Sequence, residues 1–143
     1  SSDLDHRIII SSRYPLLLIS FDGLQALKFN EYLSKFPDSN FNRLIREGVR
    51  ARQMKPIFPT KTWPNHVTLV TGLFAESHGI VGNALYDPAS DEAVNFVFGS
   101  NAQDPKFWNT TAEPLWMTAK KQGLRTASLN WIGSDVIGRT PGK

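Results

Sequence analysis

Residues 55–66 read Lys55-Pro-Ile-Phe-Pro-Thr-Lys-Thr-Trp-Pro-Asn-His66, and the amphipathic run 67–71 with Gly72 follows directly. Proline is favoured in the first turn of a helix and glycine just beyond its last turn, so this punctuation predicts a helix from near Trp63 to Gly72. Thr62 then lies at or just before the helix N-terminus. Because free backbone N–H groups and the helix dipole favour an anion there, the stretch predicts a place to hold a phosphate beside a hydroxyl.

Composition and charge indicate which classes of protein this chain can belong to. A chain of 143 residues with 41% apolar residues is long enough for one globular domain with its own core. The net charge of only +3 does not indicate general nucleic-acid binding through a basic surface. The absence of cysteine excludes disulfides and thiolate metal sites. Basic residues outnumber acids between positions 43 and 61, which indicates either a solvated surface or a positive field near an anionic substrate.

Predicted strands and helices alternate along the chain. Residues 15–21 form a short, continuous apolar run, as expected of a strand buried on both faces. The remaining predicted elements are strands at 49–54 and 125–131, a hairpin between 80–86 and 93–98, and helices at 25–36, between Ser39 and Gly48, and between Pro114 and Gly123. This order predicts an α/β fold with a largely parallel central sheet flanked by helices. Residues 1–14 read as a lead-in segment, and 15–143 as one domain or part of one.

Asp22 follows the apolar run 15–21 directly. Open α/β sheets place their sites beyond the carboxyl ends of the strands, so this carboxylate is a candidate functional residue. A turn or capping aspartate before Gly23 is the equal alternative. From these residues alone, both interpretations stay open.

Thr62 is a weak nucleophile unless a base, a helix dipole or a metal ion gives its hydroxyl alkoxide character. Asp22 is the predicted oxygen ligand of such a metal. Asn83 carries an amide N–H₂ group that can bond a phosphate oxygen as charge develops there, and Trp63 offers an aromatic face to a planar base. Each residue has a structural alternative, namely an N-cap for Thr62, a turn for Asn83 and a core position for Trp63. Taken singly, Asn83 and Trp63 favour that alternative.

The two histidines near these residues are predicted to be structural. His66 lies one helical turn after Thr62 and is expected to hydrogen-bond the loop. His78 precedes Gly79 in a predicted turn and is expected to make local hydrogen bonds. Neither has the spacing of a zinc-binding helix, so neither is assigned to a metal.

Several short motifs occur together in this chain. They are Pro59-Thr-Lys-Thr-Trp-Pro-Asn-His66, Val70-Thr-Gly-Leu73, Glu76-Ser-His-Gly-Ile80, Asn83 and Tyr86-Asp-Pro88, with Ile19-Ser-Phe-Asp-Gly23 upstream and Trp131-Ile-Gly-Ser-Asp135 downstream. In this combination the chain closely resembles the ecto-nucleotide pyrophosphatase/phosphodiesterase family of the alkaline phosphatase superfamily. The resemblance covers residues 15–136, and its central motif is highly specific.

The resemblance implies an alkaline-phosphatase-like fold that hydrolyses phosphodiester or pyrophosphate bonds of nucleotides and releases a nucleoside 5′-monophosphate. It also implies two zinc ions and a phospho-threonine intermediate. Carried over by position, Thr62 is the nucleophile and a zinc ligand, and Asp22 is a ligand of the same zinc. Asn83 helps to hold the phosphate oxygens, and Trp63 occupies the position, usually phenylalanine, that packs against the nucleobase.

The chain departs from the family pattern in what it lacks. The other zinc ligands and a base-stacking tyrosine would follow Lys143, and Ile132 replaces a proline common after the tryptophan. The chain is therefore predicted to be the N-terminal part of the catalytic domain, incomplete in its sheet, and to bind zinc weakly and not turn over by itself. Two alternatives stay open. One is a phospholipid or choline-phosphate ester substrate for the same chemistry, and the other is a non-catalytic binding module that lacks the downstream ligands.

Family location is extracellular or facing a secretory lumen, by secretion or a membrane anchor. The triplet Asn109-Thr-Thr111 would then make Asn109 a glycan acceptor. No apolar run approaches the roughly 18 residues that span a bilayer, so an anchor would lie outside this chain.

Overall fold

The computed structural model describes residues 14–97, 99, 102–108 and 112–136. The predicted lead-in segment 1–14 lies outside these ranges except for Tyr14, and so does the predicted glycan acceptor Asn109. The chain forms two compact units, one up to Arg50 and one from Ala51 onward.

The first unit contains the two predicted helices, α1 (Ala26–Lys35) and α2 (Asn40–Glu47). Ser39 is the N-cap of α2, as predicted, because its hydroxyl accepts a hydrogen bond from the Asn42 backbone N–H at 3.3 Å. This contact satisfies one of the donors that the first turn of a helix leaves without an intrahelical partner.

The Asn42 side chain joins the two helices of the first unit. Its N–H₂ group donates to the carbonyls of Leu33 and Phe36, each at 2.9 Å, at the C-terminal end of α1. Phe29 of α1 packs edge-to-face against Phe41 of α2, with 5.2 Å between ring centroids. Polar and aromatic contacts therefore fix the turn between the helices.

None of the three predicted parallel strands forms within the described ranges, where the sheet is a two-stranded hairpin. Residues 15–21, 49–54 and 125–131 are not in strands, and Leu17 and Ile19 are 79% and 61% exposed. A parallel strand completes its hydrogen bonds only with a neighbouring strand, and the described part of the chain pairs none with these segments. The apolar run at 15–21 is therefore uncovered.

The second unit carries most of the secondary structure. Its elements are α3 (Thr62–Thr71), α4 (Ala75–His78), β1 (Ala84–Asp87), β2 (Glu92–Asn95), a 3₁₀ turn (Pro105–Trp108) and α5 (Leu115–Lys121). The C-cap Gly72 ends α3 in the left-handed region at φ 71°, which confirms the predicted end. β1 and β2 pair antiparallel, with Leu85 opposite Val94, and confirm the predicted hairpin in shortened form. Among the described helices, none has the length and apolarity to cross a membrane.

One apolar cluster forms the core of the second unit. Its members lie in or next to α3, α4, β2 and the 3₁₀ turn, and each side chain is at most 5% exposed. They are Val67, Ile80, Val94, Phe96 and Trp108. Trp63 in the first turn of α3 packs against this cluster. The core therefore fixes the N-terminal end of α3 against the hairpin.

Candidate active site

Thr62 is the first residue of α3, which confirms the prediction that its hydroxyl lies at a helix start. The residue is half-buried. Its carbonyl oxygen is 2.8 Å from Nδ1 of His66. A carbonyl can only accept, so Nδ1 carries the proton and donates it, and His66 holds the first turn of the helix.

Asn83 lies beside this helix start. Its Oδ1 accepts a hydrogen bond from the Trp63 backbone N–H at 3.0 Å. Because an N–H group bonds only to an acceptor, the oxygen end of the amide faces the helix and the N–H₂ end points away from that backbone. Gly82 lets the chain turn tightly before Asn83, since a Cβ at Gly82 would lie 2.8 Å from the Ala84 carbonyl oxygen. Asn83 thus caps α3 and keeps its donors directed elsewhere.

The first turn of α3 offers fewer free N–H groups than the sequence suggests. The Trp63 N–H bonds Asn83, and Pro64 has no N–H group. The Asn65 N–H bonds the Lys61 carbonyl at 3.3 Å. The Trp63 and Asn65 N–H groups are therefore already bonded within the protein, and the role of this helix start in holding a phosphate stays a prediction.

The loop before Thr62 is held by the Asn65 side chain. Its Oδ1 accepts from the Ile57 N–H at 2.8 Å, and its Nδ2 donates to the carbonyls of Pro59 at 3.1 Å and Lys61 at 2.8 Å. The peptide bond before Pro59 is cis. Sequence reasoning missed this residue. The available signal was an asparagine, a poor helix former, in a first helical turn, where its side chain bonds the backbone.

Trp63 packs into the core on at least one side. Its ring lies 5.3 Å from that of Phe96 at an interplanar angle of 27°, and 5.4 Å from that of Trp108. This is the arrangement of the core alternative, although the residue remains half-buried and not fully enclosed. The indole supports the first turn of α3, and its contact with a base stays a prediction.

Asp22 belongs to the first unit. It lies in a turn with Gly23, whose φ of 69° suits glycine, and it is exposed. The turn alternative therefore describes its backbone, and its role as a metal ligand stays a prediction. The second unit brings Thr62, Trp63 and Asn83 together.

His78 is fully buried and joins α4 to α3. Its Nδ1 accepts from the Ile80 N–H at 3.1 Å, so its proton is on Nε2, which lies 3.0 Å from the Thr68 hydroxyl. Burial lowers the pKa of His78, against a smaller opposing effect of the Pro64 carbonyl. The histidine is therefore a neutral hydrogen-bonding residue of the interior. Its bond to Ile80 is local, as predicted, whereas its contact with Thr68 and its burial come from tertiary packing.

The residues described do not by themselves fit a metal ion. In ranges 14–97, 99, 102–108 and 112–136, no three Asp, Glu, His or Cys side chains form a group that could hold one. The roles of Asp22 and Thr62 as metal ligands therefore stay predictions.

The basic residues at 43–61 fit both predicted alternatives, a solvated surface for some and a positive field near Thr62 for another. Arg46 donates to the Pro37 carbonyl at 3.3 Å, and the Arg50 guanidinium lies over the Phe29 ring at 5.7 Å, both within the first unit. These contacts fit the solvated-surface alternative. Lys61, by contrast, is exposed at the N-cap of α3, next to Thr62, and a positive field there would favour an anion.

The chain matches known proteins over most of its length. Residues 16–142 match the family described as type I phosphodiesterase / nucleotide pyrophosphatase. Bis(5′-adenosyl)-triphosphatase enpp4 of Xenopus laevis is 46% identical over 126 residues, which cover 88% of this chain and 26% of the relative. Human ectonucleotide pyrophosphatase/phosphodiesterase family member 5 is 42% identical over 121 residues, 85% of this chain and 24% of the relative. The chain therefore spans about a quarter of the length of these relatives.

A solved structure has a similar fold. It is murine ectonucleotide pyrophosphatase/phosphodiesterase 5, as an inactive threonine-to-alanine variant in complex with AMP. The TM-score is 0.67 at 40% sequence identity, and the match covers 82% of this chain and 30% of that chain.

Proposed function

The chain belongs to the type I phosphodiesterase / nucleotide pyrophosphatase family, and from that membership we propose that its protein hydrolyses phosphodiester or pyrophosphate bonds of nucleotides and releases a nucleoside 5′-monophosphate. The observation that carries this proposal is the position of Thr62 in the first turn of α3, beside an Asn83 amide anchored on Trp63. The relatives bear the names of nucleotide pyrophosphatases and phosphodiesterases, and the murine structure holds AMP.

Thr62 is the proposed nucleophile. Its oxygen attacks phosphorus, the bond from phosphorus to the leaving oxygen breaks, and the hydroxyl proton ends on the leaving group. Water then cleaves the phospho-threonine, which restores the hydroxyl and releases the monophosphate. The inactive state of the murine relative with alanine in place of a threonine supports this role.

Asn83 is the proposed donor to a phosphate oxygen. Its oxygen end is held by the Trp63 N–H, so the amide cannot turn over without losing that bond and its N–H₂ group keeps one orientation. A donor fixed before the reaction loses little order when charge develops on the substrate. Trp63 is proposed to contact the nucleobase with the part of the indole that Phe96 and Trp108 leave uncovered.

Asp22 and Thr62 would be among the ligands of two zinc ions in the proposed site, and the other ligands would follow Lys143. Bound zinc would supply positive charge that favours the alkoxide form of a hydroxyl. The described residues lack a complete ligand set, so the assignment of Asp22 rests on its match to the family motif.

The proposed architecture is the N-terminal part of an alkaline-phosphatase-like catalytic domain, spanning residues 15–143. In the complete domain, segments 15–21, 49–54 and 125–131 would be strands of a parallel sheet. The continuous apolar run at 15–21 and the alternating pattern at 49–54 are consistent with this. The protein is proposed to act outside the cell or in a secretory lumen, either secreted or anchored, because relatives are named ectonucleotide enzymes. Asn109 is the proposed glycan acceptor there.

Substitution of Thr62 by alanine in the full-length protein tests this function. Thr62→Ala should abolish release of the monophosphate from a dinucleoside polyphosphate and leave the circular dichroism spectrum unchanged. Thr71→Ala is the matched control, because it removes a threonine hydroxyl from the last turn of the same helix. Retained hydrolysis by Thr62→Ala would reject the mechanism.

The same assay separates the alternative substrates. The nucleotide proposal expects a larger kcat/KM for the dinucleoside polyphosphate than for a choline-phosphate ester. The reverse order would identify the ester as the substrate, and the absence of turnover on either would favour a non-catalytic binding module.

A further inference from the structure

Asn65 uses both ends of its side chain on the backbone that leads to Thr62. Its oxygen accepts from Ile57, and its nitrogen donates to Pro59 and Lys61. Two of these three bonds reach outside α3 into the loop, and only the bond to the Lys61 carbonyl lies at the helix N-terminus. The amide therefore closes the loop 57–61 against the first turn of the helix.

Trp63, Asn83 and His66 hold this helix start at Thr62 and on its C-terminal side. Lys61, the N-cap of α3, makes no side-chain capping hydrogen bond. Asn83 anchors the N–H of Trp63, which is on the C-terminal side of Thr62. The backbone on the N-terminal side of Thr62 depends on the loop that Asn65 holds.

We propose that Asn65 is a positioning residue, which fixes the 57–61 loop and thereby sets where the Thr62 hydroxyl stands relative to the Asn83 amide. The inference rests on the proposed role of Thr62 as nucleophile. Asn65 does not touch the reacting atoms in this proposal. It acts through the backbone of Ile57, Pro59 and Lys61, which leads to Thr62. A nucleophile displaced by about 1 Å loses roughly a hundredfold in rate, so a loosened loop should lower kcat more than it weakens substrate binding.

The chain offers a matched control in Asn42. That asparagine also bonds two backbone carbonyls and one further partner, but it does so within the first unit. Asn42→Ala therefore removes a comparable set of hydrogen bonds without touching the loop before Thr62. Any effect common to Asn42→Ala and Asn65→Ala reflects lost stability and not positioning.

A serine at position 65 separates the loop bonds from the helix bond. A serine hydroxyl in a helix can bond the carbonyl four residues earlier, which here is that of Lys61, but it is too short to reach Ile57 and Pro59. Asn65→Ser therefore retains one contact near the helix start and loses both contacts to the loop. It also keeps a similar helix propensity, which limits the loss of folded protein.

The experiment measures kcat and KM for a dinucleoside polyphosphate in the full-length protein, normalised to the folded fraction from near-ultraviolet circular dichroism. For Asn65→Ala and Asn65→Ser we expect kcat to fall roughly tenfold to a hundredfold, with KM changed by less than about threefold. Asn42→Ala should keep the kcat of the unaltered protein.

Each other outcome has a defined meaning. A kcat for Asn65→Ser equal to that of the unaltered protein, or an equal loss in Asn42→Ala, would overturn the inference. If neither Asn65 variant folds, Asn65 is a folding determinant and the positioning role is rejected. If the unaltered protein hydrolyses no nucleotide substrate, the proposed function itself is rejected. This outcome differs from failure of the positioning role because it is seen without any variant.

Discussion

The side-chain oxygen of Asn83 bonds the backbone N–H of Trp63 across 3.0 Å, although the two residues are 20 positions apart in the chain. The contact joins the start of α3 to the residue before β1. The two ends of the amide therefore have different roles, since the oxygen stabilises the helix and the nitrogen remains a donor. These two contributions respond differently to substitution.

Replacement of Asn83 separates helix capping from catalysis. Asn83→Asp keeps an acceptor for the Trp63 N–H but removes the N–H₂ donor and adds a negative charge that repels phosphate. We expect its stability to stay within about 0.5 kcal/mol while kcat falls by about 10²-fold or more, the usual effect of losing one such donor. Asn83→Ala should lose both contributions, with about 1 kcal/mol of stability. Urea denaturation and steady-state kinetics measure the two effects; an active Asn83→Asp variant would reject the donor role.

His78 should make stability depend on pH. Because burial lowers the pKa of His78, the unfolded chain binds a proton more readily than the folded chain once the pH falls below about 6.5. The contribution of His78 to the free energy of unfolding should therefore be constant above that pH. Below it, the free energy of unfolding should decrease by at most about 1.4 kcal/mol per pH unit until the pH reaches the pKa of His78 in the folded protein. Urea denaturation between pH 5 and 8 measures this slope, and His78→Asn should reduce it. An unchanged slope in the variant would contradict the assignment.

Trp108 should be a large contributor to the stability of the second unit. It is 5% exposed, packs on Trp63 and Phe96, and donates its Nε1–H to the Ala102 carbonyl at 2.7 Å. Trp108→Ala should destabilise by about 3–5 kcal/mol, since truncation leaves a cavity among aromatic rings. The control Leu129→Ala alters a side chain that is 89% exposed and should change stability by less than about 0.5 kcal/mol. Equal midpoints for the two variants in chemical denaturation would show that the aromatic cluster is not a core.

The isolated chain 1–143 should bind zinc weakly and show no phosphodiesterase turnover. Its described residues contain no group of three metal-binding side chains, and the proposed remaining ligands follow Lys143. Isothermal titration with zinc, together with an assay on a dinucleoside polyphosphate, tests this expectation. Adding a chelator to the full-length protein is the complementary experiment and should abolish its activity. Full turnover by the isolated chain would contradict the proposed division of the ligands.

Local chemistry made the boundaries of α2 and α3 predictable, whereas α4 was not predicted. The hydroxyl of Ser39 and the left-handed conformation of Gly72 act on residues within four positions, so their effect can be read without knowledge of the fold. The start of α3 at Thr62 follows from the same kind of signal. The hairpin was predictable because its two strands are close in sequence, although it is shorter than the pattern indicated.

Tertiary contacts account for what the sequence did not predict. The core position of Trp63 was the favoured alternative, but its partners Phe96 and Trp108 are far along the chain and no local pattern identifies them. The Asn65 contacts span only eight residues or fewer, but they depend on the path of an irregular loop. The predicted strand 15–21 has the right composition, yet composition cannot supply the neighbouring strand that it needs.

The uncovered run 15–21 also bears on how this chain behaves in solution. It is seven residues long, apolar except for one serine, and free of charge, with its proline only at the first position. Short uncharged segments of high β-propensity are templates for pairing between copies. Protein concentration, more than temperature, should therefore set how long the isolated chain stays monomeric, and a lysine in place of Leu17 would act as a gatekeeper against that self-association.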